Sequence, residues 1–172
     1  TLLLSTGLIP ENELSKGAGV ELSRVTNGPV VNEALETNIP GVFACGNVLH
    51  VHDLVDYVSE EAKKAGENAA AYVLAGCKDD RSGNDVEIIA KGGVRYTVPV
   101  TIDPARMDNL QVVRFRVGAV YKDAAVAVYL DDERIQKRKK RIMAPGEMEQ
   151  IILKKDQLLA HEGLKSITVC IE

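Results

Sequence analysis

Two different periods divide the chain. Between residues 53 and 76, Leu54, Val58, Ala62, Ala65, Ala69, Tyr72 and Val73 recur at three- and four-residue spacing and predict one long amphipathic helix. Asp53 or Asp56 is the expected N-cap, Glu60 and Lys64 form an i,i+4 pair on the expected wet face, and Gly76 supplies the stop. Before the helix, Val30-Val31 leaves the turn Asn27-Gly28-Pro29 as a strand. Gly41-Val42-Phe43-Ala44-Cys45-Gly46 reads as a second strand, apolar on both faces, of the kind found in a covered parallel sheet.

Beyond the polar stretch at 78–84 the period becomes two. Val113, Phe115 and Val117 alternate with Arg114 and Arg116, a pattern that predicts a half-buried strand with a charged outer face. Val126, Val128 and Leu130 repeat the alternation, as do Ile167, Val169 and Ile171. Turn signals stand at Lys122-Asp123, Asp131-Asp132 and Pro145-Gly146. This spacing predicts an antiparallel β-sandwich of about seven strands, with a short helical turn at 156–161. Pro99 marks an edge or bulged strand. The expected organisation is a partial α/β domain over 1–78, a linker over 79–84 and an all-β domain over 85–172.

Composition narrows the function classes. Hydrophobic residues make up 45%, enough for a core, and the 4% aromatic share with no Trp requires that core to be aliphatic. A net charge of −4 argues against a general nucleic-acid or anionic-membrane binder. No apolar run is long enough for a membrane span. The five-residue basic run Lys137–Arg141 reads as a charged edge strand ahead of a binding patch. Three well-separated cysteines, with no Cys-x-x-Cys pair, suit a reducing compartment and a cytoplasmic location. Thr1, set inside an apolar run where Met would start a chain, is expected to mark a boundary within a longer protein.

The segment that carries chemistry is Thr37–Asn47. A strand ending in Gly46 lets a ligand approach the backbone without a Cβ in the way. Asn47 follows at the strand's carboxyl end, where open α/β sheets bind ligands. The helix beyond presents free N–H groups to something electron-rich. His50, His52 and Asp53 offer the elements of a metal set but lack an outer partner, so no metal is assigned.

These residues resemble the second FAD-contacting motif of the two-dinucleotide-domain flavoproteins, the thioredoxin-reductase and glutathione-reductase superfamily. Thr37, Pro40, Phe43, Ala44 and Gly46 match its T-x-x-P-x-[IVF]-[FY]-A-x-G-D pattern, and Ala65-Gly66 with Ala69-Ala70 match the helix that follows. Leu4-Ser5-Thr6-Gly7-Leu8-Ile9-Pro10-Glu11-Asn12 resembles the segment that returns from the NAD domain to the FAD domain. Asn47 departs from the usual Asp and keeps hydrogen bonding without charge. The run Cys45–Asp53 is similar to one branch, the NAD(FAD)-dependent dehydrogenases related to the flavoprotein subunits of sarcosine oxidase and hydrogen cyanide synthase.

The resemblance implies the C-terminal segment of a Rossmann-like FAD/NAD(P)-binding domain, with FAD and NAD(P)H as cofactors of the whole enzyme. Gly46 and Asn47 would meet the ribityl and phosphate side of FAD; Asp56, Tyr57 and Val58 would meet the flavin ring. No catalytic acid, base or thiol is assigned. No G-x-G-x-x-G occurs in the chain. The expected partner is therefore an N-terminal FAD/NAD-binding portion of the same protein, and the chain alone is expected to be inactive. The competing class is a non-catalytic interaction module that homodimerises through exposed sheet surface.

Overall fold

The computed structural model describes residues 2–3, 7–78, 81 and 83–172. Thr1, Leu4–Thr6, Lys78's successors Asp79 and Asp80, and Ser82 lie outside them, and with them parts of the upstream Leu4–Asn12 match and of the 79–84 linker. In chain order the elements are α1 (Glu13–Gly17), a 3-10 turn (Gly46–Val48), α2 (Val55–Leu74), β1 (Val86–Ala90), β2 (Val94–Val98), β3 (Thr101–Ile102), β4 (Leu110–Val117), β5 (Tyr121–Leu130), β6 (Glu133–Met143), β7 (Glu149–Lys154), α3 (Lys155–Ala160) and β8 (Ser166–Ile171).

The alternating segments build a two-sheet sandwich. A five-stranded sheet in the order β3-β1-β8-β5-β6 faces a three-stranded sheet in the order β2-β4-β7. Val113, Phe115 and Val117 of β4 are fully buried against Val126, Val128 and Leu130 of β5 and Ile167 and Val169 of β8, in one aliphatic core. Burial of these side chains supplies about 1.5–3 kcal/mol apiece.

The sandwich is not purely antiparallel, because β1 and β8 pair in parallel from Glu87↔Ser166 to Ala90↔Val169. Residues far apart in sequence meet there without a hairpin, so no local turn signal could announce it. Asp131-Asp132 forms the β5–β6 turn, with Leu130 opposite Glu133, and Pro145-Gly146 lies between β6 and β7. Lys122-Asp123, by contrast, lies inside β5; the chain turns earlier, at 118–120. The short helix expected near 156–161 is α3. The basic run lies on β6, an edge strand, where Lys137 meets Glu172 at 2.6 Å and Lys140 meets Glu149 at 2.9 Å.

The first region differs from its expectation. Among the described residues up to 78 there is no sheet, only two isolated bridges, Leu22↔Pro29 and Glu36↔Phe43. Gly41–Gly46 is not a doubly covered strand. Phe43 closes back on Glu36, Val42 is exposed, and Gly46 starts the 3-10 turn. A strand needs a partner ladder for its N–H and C=O groups, and among the described residues this segment has only the short stretch 35–37 beside it, with Thr37 N–Val42 O at 2.8 Å and Ala44 N–Leu35 O at 3.0 Å. Val31, expected in a strand, is buried and takes a hydrogen bond from Val100 N at 3.1 Å. Val31, Leu35, Ala44, Leu49 and Ala65 form a second small core with Val98 from β2.

Helix α2 forms where the period places it. Leu54 occupies the N-cap and no side chain caps the first turn, so neither Asp53 nor Asp56 serves as the cap. Gly76, at φ +78°, closes the other end with Gly76 N–Val73 O at 3.0 Å and Cys77 N–Tyr72 O at 3.0 Å, a Schellman closure. The helix is rotated relative to its expected stripe. Glu61 and Ala65 are buried, while Leu54, Ala62 and Val73 are exposed. Glu60 and Lys64 do not pair on a wet face either; they point to the sandwich, Glu60 to Arg114 and Lys64 to Gln111.

Candidate functional site around Glu61

The turn that leaves Phe43-Ala44-Cys45 folds under the N-terminal half of α2, and strand β4 covers it from the other side. Glu61 lies at the junction, 4% exposed. It follows Val58 by three residues and precedes Ala65 by four, so the helix itself carries a carboxylate on its inward face. Gly46 N–H donates to Glu61 Oε2 at 3.0 Å. His50 Nε2 lies 2.9 Å from Glu61 Oε1, and His52 Nε2 lies 2.9 Å from Glu61 Oε2. The two imidazole rings meet edge to face with centroids 4.3 Å apart. Arg114 Nη1 stands 3.4 Å from Glu61 Oε1, while its Nη2 donates to Glu60 at 2.6 Å and its guanidinium covers the Tyr57 ring at 4.8 Å.

Burial alone would raise the Glu61 pKa. The hydrogen bonds and charge of His50 and His52 outweigh it and hold the carboxyl at about 2. Burial lowers the His50 pKa, against the opposing pull of Glu61. At neutral pH the arrangement is therefore an ionised carboxylate receiving N–H donors, with a neutral His50. His50 Nδ1, His52 Nδ1 and Arg114 Nε are buried with no hydrogen-bond partner among the described residues. Cys45 is half-buried; burial, and then the Glu61 charge, push its pKa up, which keeps the thiol protonated.

The five residues singled out in the sequence lie along this corner in different settings. Gly46 is buried at φ +69°, and a Cβ there would meet Val58 Cγ1 at 3.2 Å. Its N–H is already committed to Glu61. Asn47 is exposed; its Oδ1 accepts His52 N–H at 3.1 Å, and its Nδ2 meets no acceptor among the described residues. Asp56 is exposed in the uncapped first turn of α2, Tyr57 is half-buried beneath Arg114, and Val58 is half-buried against Gly46. Asp53, set beside the histidines in sequence, turns away to Arg116 and Met148 N. The residues that sequence reasoning missed are Glu61 and Arg114. Alternation places Arg114 on the charged outer face of its strand, and Glu61 carries no sequence signal beyond a charge next to Glu60 of the expected wet face.

This corner lies inside the stretch that matches a family model. The model of the family described as pyridine nucleotide-disulphide oxidoreductase matches residues 1–70. The segment from the chain's start through most of α2, less than half of the chain, is thus similar to that family. Comparison with curated proteins and with solved structures gives no match. No helix among the described residues is long and apolar enough to cross a membrane.

Proposed function

We propose that this chain is the C-terminal part of an FAD-dependent, NAD(P)H-linked oxidoreductase of the NAD(FAD)-dependent dehydrogenase branch. In this reading residues 1–78 are the closing segment of a Rossmann-like FAD/NAD(P)-binding domain, 79–84 a linker and 85–172 an accessory β-sandwich domain. The observation that carries it is the family match over residues 1–70, which contains the whole Gly46–Val58 corner.

The residues present fit a flavin cofactor along one edge. The α2 N-terminus has no side-chain cap and Val55 is exposed; Tyr57 N–H turns back to Leu54 O at 3.2 Å, which leaves the N–H groups of Val55 and Asp56 to meet an electron-rich ring. Asn47 offers its exposed amide to a hydroxyl or phosphate oxygen. Gly46, Tyr57 and Val58 act from behind, shaping the turn that holds Asn47 and Asp56 at the surface. FAD, when bound, supplies hydride transfer between NAD(P)H and an acceptor. The pyrophosphate grip belongs to an N-terminal portion of the same protein, so the chain alone has no turnover, and the working location is cytoplasmic.

A second reading is favoured by one observation. Leu54 and Val55 at one end of α2 and Val73 and Leu74 at the other leave apolar surface open, with Val55 and Leu74 at least three-quarters exposed. Such surface suits a non-catalytic interaction or dimerisation module.

An FAD titration of the chain and of a form extended upstream, followed by flavin fluorescence, separates the two. The expected result is weak or no binding to the chain, stoichiometric flavin in the extended form, and at least tenfold weaker retention there with Asn47→Leu. Flavin in neither form would overturn the oxidoreductase reading and leave the interaction module standing.

A further inference from the structure

We propose that His50, His52 and Glu61 form a binding site for one borderline divalent cation of the zinc or iron(II) class. One ring nitrogen from each histidine and a carboxylate oxygen of Glu61 lie within 4.8 Å of one another. Two imidazoles with one carboxylate are a recurrent set for such cations, and the nitrogen majority disfavours magnesium and calcium.

The settings of the three groups match what ligation needs. Both rings are 1% exposed at the side chain and Glu61 is 4% exposed, so water competes weakly for the ligand atoms. Each imidazole satisfies only one nitrogen among the described residues; both Nδ1 atoms are buried and have no partner there. A purely structural hydrogen-bond cluster leaves those two polar atoms unexplained. Gly46 N–H fixes the Glu61 carboxylate as an outer-shell donor would. The positive charge of Arg114 opposes a cation, but Glu60 already holds it at 2.6 Å, closer than Glu61 at 3.4 Å.

Two ligands about 2.1 Å from one ion stand at most about 4.2 Å apart. Binding therefore draws the three groups inward. His52 is placed for that movement because its ring comes from an irregular loop. Glu61 also lines a cleft of about 200 Å³ with Glu60, Lys64, Gln111 and Arg114, from which water completes the coordination.

The test is a cobalt(II) titration of the full chain after dialysis against a chelator, with visible ligand-field bands as the readout and zinc(II) as competitor. One saturable equivalent, displaced by zinc and accompanied by a higher melting temperature, is expected. His52→Asn and Glu61→Gln each weaken it at least tenfold, and His161→Asn, on the sandwich, leaves it unchanged. Circular dichroism identifies any variant that fails to fold, and the wild-type titration decides independently of the variants. A folded wild-type chain without a saturable band, or a band that survives in folded His52→Asn and Glu61→Gln, overturns the proposal. None of these outcomes depends on whether the chain takes flavin.

Discussion

At the scale of single residues, Gly28 illustrates a constraint that a turn signal only hints at. A Cβ on Gly28 would lie 1.7 Å from the carbonyl oxygen of Leu49, itself fully buried. That contact is with backbone, so no side chain can swing away. Gly28→Ala is expected to cost about 3 kcal/mol, read as a lower melting temperature; an unchanged melt would mean that the two segments are not in contact. Asp131 is constrained by charge. Its carboxylate accepts from Ser166 N at 2.9 Å and from Lys165 N at 3.2 Å, fastening the start of β8 to the β5–β6 turn. Partial desolvation works against ionisation, yet these hydrogen bonds and those from Ser166 Oγ and His161 lower the pKa below its ordinary 3.8. A depressed acid stabilises the folded state fully above its unfolded pKa and loses that contribution as pH falls through the folded value. Urea midpoints should therefore drop more steeply below about pH 4 in the native chain than in Asp131→Asn. Parallel curves would refute the assignment.

At the scale of elements, the decisive contact is between α2 and β4. The outer face of β4 was expected to be solvated. Instead Arg114 is 7% exposed beneath α2, and Arg116 donates to Val51 O at 3.0 Å and pairs with Asp53. Truncating Arg114 leaves Glu61 with one donor fewer and an unpaired Glu60. Arg114→Ala should destabilise the chain by about 1.5–3 kcal/mol and speed amide exchange in the first half of α2. The exposed pair Lys63–Glu67, at 3.8 Å, provides the contrast. Lys63→Ala should change stability by less than about 0.5 kcal/mol. Equal effects of the two substitutions in urea unfolding would show that α2 is not anchored through Arg114.

At the scale of the whole molecule, the larger core is made entirely of residues 86–169. The smaller one needs both regions, with Val98 and Tyr96 of β2 packed on residues 31–65. Further ties are the Arg106–Glu33 pair at 2.7 Å and Asp103 N–Glu33 Oε2 at 3.0 Å. Residues 85–172 expressed alone should keep a cooperative β-type unfolding transition at a lower midpoint. Residues 1–78 alone should lose most of their helical circular dichroism, since few buried apolar contacts remain to hold α2. A non-cooperative melt of 85–172 would place the folding unit across both regions.

The sequence by itself determined the elements whose cause is local. Helix α2 follows from its 3.6 period and ends where Gly76 can adopt positive φ; β4, β5 and β8 follow from alternation, and the β5–β6 turn from Asp131-Asp132. It also located the Gly46–Val58 corner, through residues that resemble a known flavin-contacting motif and lie within the family match. Only the tertiary structure decided which face of α2 is inward, that β1 lies parallel to β8, and that Gly41–Gly46 is left without a sheet. It alone brought His50, His52, Glu61 and Arg114 together. A charged residue in an amphipathic repeat has the same local pattern whether it meets water or a partner. Its burial depends on the oppositely charged group that another element delivers, and Arg114 is 53 residues away from Glu61 in the chain.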